Sequence, residues 1–172
     1  MRKSPASSAV DTTVASSAMR ATLGRFCTGV TIVTAAAESG PAGFTCQAFS
    51  AVSLEPPLVL LCPAKTSTSW PKISRAQRFS INVLGSGHEE LCRDFAVSAG
   101  DKFAGRSWHV SARTDAPILA DAVAVIDCVI EAEHDAGDHT VVIARVLGLE
   151  HTDDEPLLFF RGRFHRLSDR SG

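Results

Sequence analysis

The sequence lacks the charge pattern of nucleic-acid-binding proteins and the long apolar runs of membrane proteins. Its 17 Lys and Arg nearly balance its 19 Asp and Glu, without a basic stripe, so nucleic acid is not an expected partner. The apolar runs, such as those at 58–62 and 141–144, have the length of strands and are too short to span a bilayer. No membrane association is expected, and 45% apolar with 21% charged residues is typical of a globular domain.

Paired cysteine motifs are also absent. An odd number of cysteines without a CxxC spacing argues against a disulfide framework and against a zinc site. Within apolar runs a free cysteine acts as a small hydrophobic residue, which is typical of proteins in a reducing cytoplasm. The five cysteines are Cys27, Cys46, Cys62, Cys92 and Cys128.

The common catalytic signatures are missing. The chain has no P-loop, no G-x-S-x-G and no H-E-x-x-H, so acyl transfer and metal chemistry find no support. The nearest approach to a dinucleotide-binding G-x-G-x-x-G begins at Gly85, lacks the third glycine and is typical of a polar turn before a helix. We therefore predict no catalytic acid, base or nucleophile and no metal ligand.

The predicted elements form one domain over residues 16–168, preceded by a flexible arm over 1–15 that is rich in Ser, Thr and Ala. The first helix is predicted to begin at a Ser16 or Ser17 cap and to end at Gly29. The predicted helices are 16–29, 66–75 and 89–96.

The apolar periodicity predicts about seven strands. The predicted strands are 30–34, 43–53, 58–62, 79–84, 122–133, 139–150 and 157–160. Strands without a regular βαβ alternation indicate a mainly β fold, an antiparallel barrel with a few short helices, rather than a doubly wound sheet.

Three polar segments stand at the ends of these strands. Residues 43–57 carry small side chains that allow a flat ring to approach the backbone, although an edge strand has the same composition. Residues 65–69 offer an ammonium and four hydroxyls at a predicted helix start, which suits either a phosphate or simple N-capping. Residues 137–139 form a hairpin turn with one histidine. Taken alone, each segment is explained either by a ligand-binding role or by an ordinary structural one, namely an edge strand, a helix cap or a turn.

Taken together and in order, five segments resemble the flavin reductase family, the reductase components of two-component flavin-dependent monooxygenases. The resemblance runs from about Met19 to Leu167, and the agreement in order makes chance unlikely. The five segments are 25–34 (RFCTGVTIVT), 43–57 (GFTCQAFSAVSLEPP), 101–105 (DKFAG), 137–139 (GDH) and 160–162 (FRG).

The resemblance implies a homodimeric, Greek-key, FMN-binding split β-barrel in which a flavin and NADH meet in a cleft. The residues that match the segment lining the isoalloxazine ring are Thr45, Cys46, Gln47 and Ala48. Many relatives carry asparagine where this chain has Gln47, and the longer amide shifts the contacts with the ring. The residues that match the ribityl and phosphate segment are Cys62, Pro63, Ala64, Lys65, Ser67 and Ser69.

The remaining matches concern the flavin tail and the nicotinamide. Lys102 and Phe103 fall in a loop that closes near the tail of the flavin. The residues that match positions facing the nicotinamide are His139, Phe160, Arg161 and Phe164. The implied cofactors are FMN or FAD and NADH, and the implied partner is a monooxygenase that receives diffusible reduced flavin.

The implied reaction agrees with the missing catalytic signatures. Hydride transfer requires the nicotinamide C4 to lie over the flavin N5 and requires no acid or base at the reacting carbon. Two alternatives remain open at this point: another split-barrel flavoprotein, such as an oxidase with tightly bound FMN, and a non-catalytic flavin carrier.

Overall fold

The computed structural model describes residues 14–98 and 100–167. Most of the predicted flexible arm, 1–13, and the predicted domain end at residue 168 lie outside this range. The helices are α1 (Ser16–Leu23), α2 (Trp70–Ala76) and α3 (Glu89–Ala96). The strands are β1 (Thr28–Gly29), β2 (Thr31–Ala37), β3 (Gly40–Cys46), β4 (Phe49–Leu54), β5 (Pro57–Leu61), β6 (Arg78–Val83), β7 (Trp108–Val110), β8 (Pro117–Leu119), β9 (Ala124–Ala136), β10 (His139–His151), β11 (Leu158–Phe160) and β12 (Arg163–His165).

Seven antiparallel strands form the main sheet in the order β3-β2-β6-β9-β10-β5-β4. β3 and β4 follow each other along the chain, yet they stand at opposite edges of this sheet. The sheet therefore curls until its two edges meet at the connecting residues Gln47 and Ala48. This arrangement confirms the predicted antiparallel split barrel.

The core lies on both faces of strand β2, whose residues Thr31–Ala35 are all buried. One cluster packs Val33 against Trp70 of α2, and the Trp70 ring meets Phe44 and Phe79 edge-on, with ring centroids 6.2 Å apart. The other cluster includes Ile32 and packs residues of α3 against the opposite face. Both helices are thereby held at fixed positions beside the β3–β4 connection.

A buried polar network attaches the loop between β7 and β8 to the sheet. The Asp127 carboxylate, 3% exposed, accepts hydrogen bonds from the hydroxyls of Ser80 at 2.6 Å and Ser111 at 2.9 Å. The Asn82 amide donates to the carbonyl of Ile32, and its oxygen accepts the N–H of Leu119. These bonds satisfy groups whose burial would otherwise be unfavourable.

The sequence patterns do not predict β1, β7, β8 and β12, and three predicted elements differ markedly from the structure. α1 ends at Leu23, with Gly24 as its C-cap and Ala15 rather than Ser16 or Ser17 at its N-cap, because continuing through Gly24 places glycine in a helix interior. α2 begins at Trp70 rather than residue 66, because a longer helix would place Pro71 in its interior.

The third difference concerns the predicted strand 43–53, which is divided into β3 and β4. The N–H of Phe49 bonds back to the carbonyl of Gln47 at 2.9 Å, which closes a tight turn and interrupts the strand. In the described part of the chain, no helix is both long enough and apolar enough to cross a membrane.

Candidate active-site cleft

A cleft of about 350 Å³ lies where the ends of β3 and β5 meet the start of β10. The N–H of Cys62 donates to the carbonyl of Ala48 at 3.0 Å, and Ala64 forms a β-bridge with His139. Eleven of the sixteen predicted cofactor-binding residues line the cleft. They are Thr45, Cys46, Gln47, Ala48, Cys62, Pro63, Ala64, Ser67, Ser69, Lys102 and His139.

The side chains of the 45–48 segment are largely committed to the protein itself. The Thr45 hydroxyl donates to the Cys92 carbonyl of α3 at 2.7 Å. Burial raises the pKa of the Cys46 thiol to about 11, so the group is protonated at neutral pH. Burial also raises the pKa of Cys62. Neither cysteine suits a nucleophile, and the segment can offer a ligand its backbone groups and the Gln47 amide.

The hydroxyls of the 66–69 segment hold that segment in place. The Ser69 hydroxyl donates to the Gly43 carbonyl at 2.8 Å, which occupies its single hydrogen. The Ser67 hydroxyl oxygen accepts the Trp70 N–H at 3.1 Å and keeps its own hydrogen for a ligand. Thr66 and Thr68, which the family resemblance does not assign to the flavin, also line the cleft.

Lys102 is the lysine whose side chain lines the cleft. Its ammonium donates to the carbonyls of Gly43 and Phe95, both at 3.1 Å, and has a third N–H to offer. Burial, and secondly the charge of Lys72, lowers the pKa of Lys102. Lys65 lies elsewhere: its ammonium pairs with Asp135 at 3.0 Å and is absent from the cleft lining.

His139 stands at the mouth of the cleft on a hairpin that is bonded to the 63–65 segment. The Lys65 N–H donates to the Asp138 carbonyl and the Thr140 N–H donates to the Pro63 carbonyl, at 2.9 and 3.0 Å. The His139 ring contacts the Asp138 carboxylate through Nδ1 at 2.7 Å, and this hydrogen bond is the main reason the pKa of Asp138 is lowered. The other ring nitrogen remains available to a ligand.

A second cavity, of about 710 Å³, adjoins the first. α1 forms much of its wall, and Gln47 and His139 line both cavities. Residues of α1 and Phe26 could not be assigned to this wall from sequence, because their apolar side chains look like ordinary core residues.

Five predicted residues lie outside the cleft. One is Lys65, described above. Phe103 is buried against Phe95, with ring centroids 5.0 Å apart, and lines a small neighbouring cavity instead. Phe164 packs edge-on against Phe159. Phe160 lies under the Arg161 guanidinium at 5.9 Å.

The nearby Gly162 and Phe159, rather than Phe160, Arg161 or Phe164, line the second cavity. The predicted nicotinamide segment thus lies beside that cavity: Phe164 packs against the lining residue Phe159, and the Arg161 N–H donates to the carbonyl of the lining residue Gly24.

The chain is similar to several known flavin reductases. Residues 23–168 match the flavin reductase like domain. The reductase subunit HsaB of a flavin-dependent monooxygenase from Rhodococcus jostii is 49% identical over 146 residues, covering 84% of this chain and 74% of that protein. The FMN reductase (NADH) SmoA of Agrobacterium fabrum is 41% identical over 153 residues, covering 89% of this chain and 87% of that protein.

The fold agrees with these sequences. The NADH:FAD oxidoreductase of Streptomyces globisporus, solved with NAD and FAD fragments, superposes with a TM-score of 0.86 at 35% identity, covering 91% of this chain and 94% of that one. A family match that spans nearly the whole domain shows which family the chain belongs to. The chain is a member of the flavin reductase family.

Proposed function

We propose that the cleft binds the flavin, with its ring against residues 45–48 and its phosphate end toward Lys102, and that NADH binds in the second cavity. The observation that carries this placement is that Gln47 and His139 line both cavities. Two ligands that share these contacts have their rings in contact there. Such contact is the main requirement of hydride transfer, which needs orientation more than acid–base chemistry.

Each side chain has a defined task in this arrangement. The Gln47 amide and the backbone groups around it hydrogen-bond the polar edge of the ring, where negative charge increases during reduction. The His139 ring orients the nicotinamide, and Asp138 holds that ring through Nδ1 at 2.7 Å. Lys102 and the Ser67 hydroxyl provide donors for the phosphate.

The partner in this proposal is a monooxygenase that takes up reduced flavin after its release. Relatives such as HsaB are named as reductase subunits of monooxygenases, and the cleft is open to solvent at its mouth. A reductase that hands over its product requires modest flavin affinity, with a dissociation constant near 1 µM or about −8 kcal/mol. Free thiols at all five cysteines are in keeping with a reducing cytoplasm.

A second copy of the chain covers the apolar surface around α1 in this proposal. None of the residues of α1 is buried, and Met19, Leu23 and Phe26 are 55%, 59% and 76% exposed. Leu54, on the edge strand β4, is 92% exposed. The exposed apolar side chains of Met19, Leu23 and Phe26 line one cavity together, and grouped apolar surface of this kind marks an interaction face, which a homodimer covers with one self-complementary contact.

The test is NADH oxidation by the purified protein with FMN, FAD and riboflavin, repeated with NADPH, together with its elution volume in gel filtration. We expect flavin-dependent NADH oxidation, loss of flavin during gel filtration and elution as a dimer. Flavin binding without NADH oxidation would identify a carrier. A yellow protein that keeps its flavin would identify a tight-binding oxidase.

A further inference from the structure

The cleft continues past Lys102 into a smaller cavity of about 100 Å³. The two spaces share four lining residues, Thr68, Ser69, Ser98 and Lys102. The smaller cavity shares no lining residue with the second cavity at α1, so in the described structure it extends the tail end of the flavin cleft only. The space is small and polar, which suits a phosphate group.

Two lysines line this small cavity. Lys102 is fixed from the β3 side by Gly43 and from the α3 side by Phe95, and Lys72 projects from α2. The positive charge of Lys72 contributes to lowering the pKa of Lys102, so the two ammonium groups repel each other. An anion between them would relieve that repulsion.

The carboxylates nearby do not supply that anion. Across residues 14–98 and 100–167, no carboxylate oxygen lies within 4.0 Å of either ammonium. Asp101 lines the same cavity, but its Oδ1 accepts the N–H of Phe103 at 3.0 Å. The cavity therefore combines two basic groups and the hydroxyls of Thr68 and Ser98 with one carboxylate, Asp101, which does not pair with either lysine.

We propose that this cavity is a subsite for the second phosphate of a dinucleotide flavin, and that Lys72 raises the affinity for FAD relative to FMN. The inference rests on the proposed position of the flavin. The first phosphate then lies on the cleft side of Lys102, the second lies between Lys102 and Lys72, and the adenosine continues outward along α2.

Equilibrium titration of oxidised FAD, FMN and riboflavin, followed by flavin fluorescence without NADH, tests the inference. Lys72→Ala should raise the dissociation constant of FAD about fivefold, as expected for one exposed charge contact, and change that of FMN less than about twofold. Lys72→Arg should retain FAD affinity. Arg75→Ala, which removes a cation of the same helix that does not line this cavity, should change neither.

Two results would overturn the inference: equal weakening of FAD and FMN by Lys72→Ala, or no weakening of either. In steady-state assays of the same variant, an increase confined to the KM for NADH would be a third contradicting result, because the diphosphate bound there would belong to the other substrate. The placement of the flavin fails separately if Lys102→Met leaves the ratio of FMN to riboflavin affinity unchanged.

Discussion

Lys65 and Lys102 are both predicted from sequence to bind the flavin, but they have different surroundings in the fold. The ammonium of Lys102 is in the cleft, whereas that of Lys65 pairs with Asp135 on the β9–β10 hairpin. Lys102→Met should raise the KM for FMN by about 10- to 100-fold and leave riboflavin nearly unaffected, since a charge-assisted hydrogen bond is worth roughly 1.5–3 kcal/mol. Steady-state kinetics with both flavins measures the difference.

Lys65→Met is the matched control for this prediction. It removes the same charge from the segment that the family resemblance assigns to the phosphate, yet it should change the ratio of the KM values for FMN and riboflavin less than about twofold. Exposed ion pairs such as Lys65–Asp135 contribute at most about 1 kcal/mol. If Lys65→Met reproduced the effect of Lys102→Met, the phosphate would lie at the 62–65 end of the cleft.

His139 is the residue on which the nicotinamide side of the site depends. His139→Ala should lower kcat/KM for NADH by roughly 10- to 100-fold, about 1.4–2.8 kcal/mol of transition-state stabilisation, and leave flavin affinity nearly unchanged. Stopped-flow reduction of the flavin at increasing NADH concentration measures this effect.

The opposite end of the same strand provides the control. His151 is the last residue of β10 and is exposed, so His151→Ala should leave the NADH dependence as in the wild type. An unchanged NADH dependence in His139→Ala would make His139 an ordinary turn residue.

At the scale of elements, β3 and α3 pack tightly at Gly43. A Cβ built at Gly43 meets Cε1 of the Phe95 ring at 2.7 Å, a distance at which the Phe95 ring or the helix that carries it must shift. The same residue provides the carbonyl that accepts hydrogen bonds from Ser69 and Lys102. Packing between this helix and this strand therefore defines the end wall of the cleft.

Gly43→Ala should destabilise the protein by about 1–3 kcal/mol, as overpacking of a filled core does. Urea unfolding measures the change, and flavin titration should show weaker binding because the wall shifts. Combining Gly43→Ala with Phe95→Leu removes the conflicting ring atoms, so the double variant should be more stable than the sum of the two single effects predicts. Strict additivity would contradict direct contact between these positions.

The strands of the main sheet could largely be predicted from sequence. Which of the predicted site residues come together in one cleft could be predicted only in part. Helix α3 has the predicted bounds, 89–96, because its apolar spacing and its flanking residues agree. The other two helices begin or end at positions that differ from the predicted ones because of Pro71 and Gly24, since one proline or glycine outweighs several residues with favourable helix propensity.

The position of Lys65 could not be predicted in the same way. Its partner Asp135 reaches it through the pairing of β9 with β10 and the bridge between Ala64 and His139, which are tertiary features. Lys102, 37 positions further along the chain, reaches the cleft because the carbonyls of Gly43 and Phe95 hold its ammonium there.

At the scale of the whole molecule, the buried thiols link stability to alkaline pH. Burial raises the pKa of Cys46 from 9.0 to about 11 and that of Cys128 from 9.0 to about 12. Each thiol stays protonated in the folded state over a range in which it ionises in the unfolded chain. Because the folded pKa is the higher one, the contribution to stability is complete below pH 9 and is lost as the pH rises through 11 and 12.

The free energy of unfolding should therefore fall between pH 9 and pH 11, by on the order of 1 kcal/mol for each thiol at pH 10. The chain has no tyrosine, so among the other side chains that titrate in this range lysine is the main contributor. Urea unfolding at pH 7 and pH 10 measures the loss. Cys128→Ala should reduce the difference between the two pH values, whatever it does to stability at pH 7. Cys27→Ser, at an exposed cysteine, should leave the difference unchanged, and an equal reduction by both variants would show that the loss arises elsewhere.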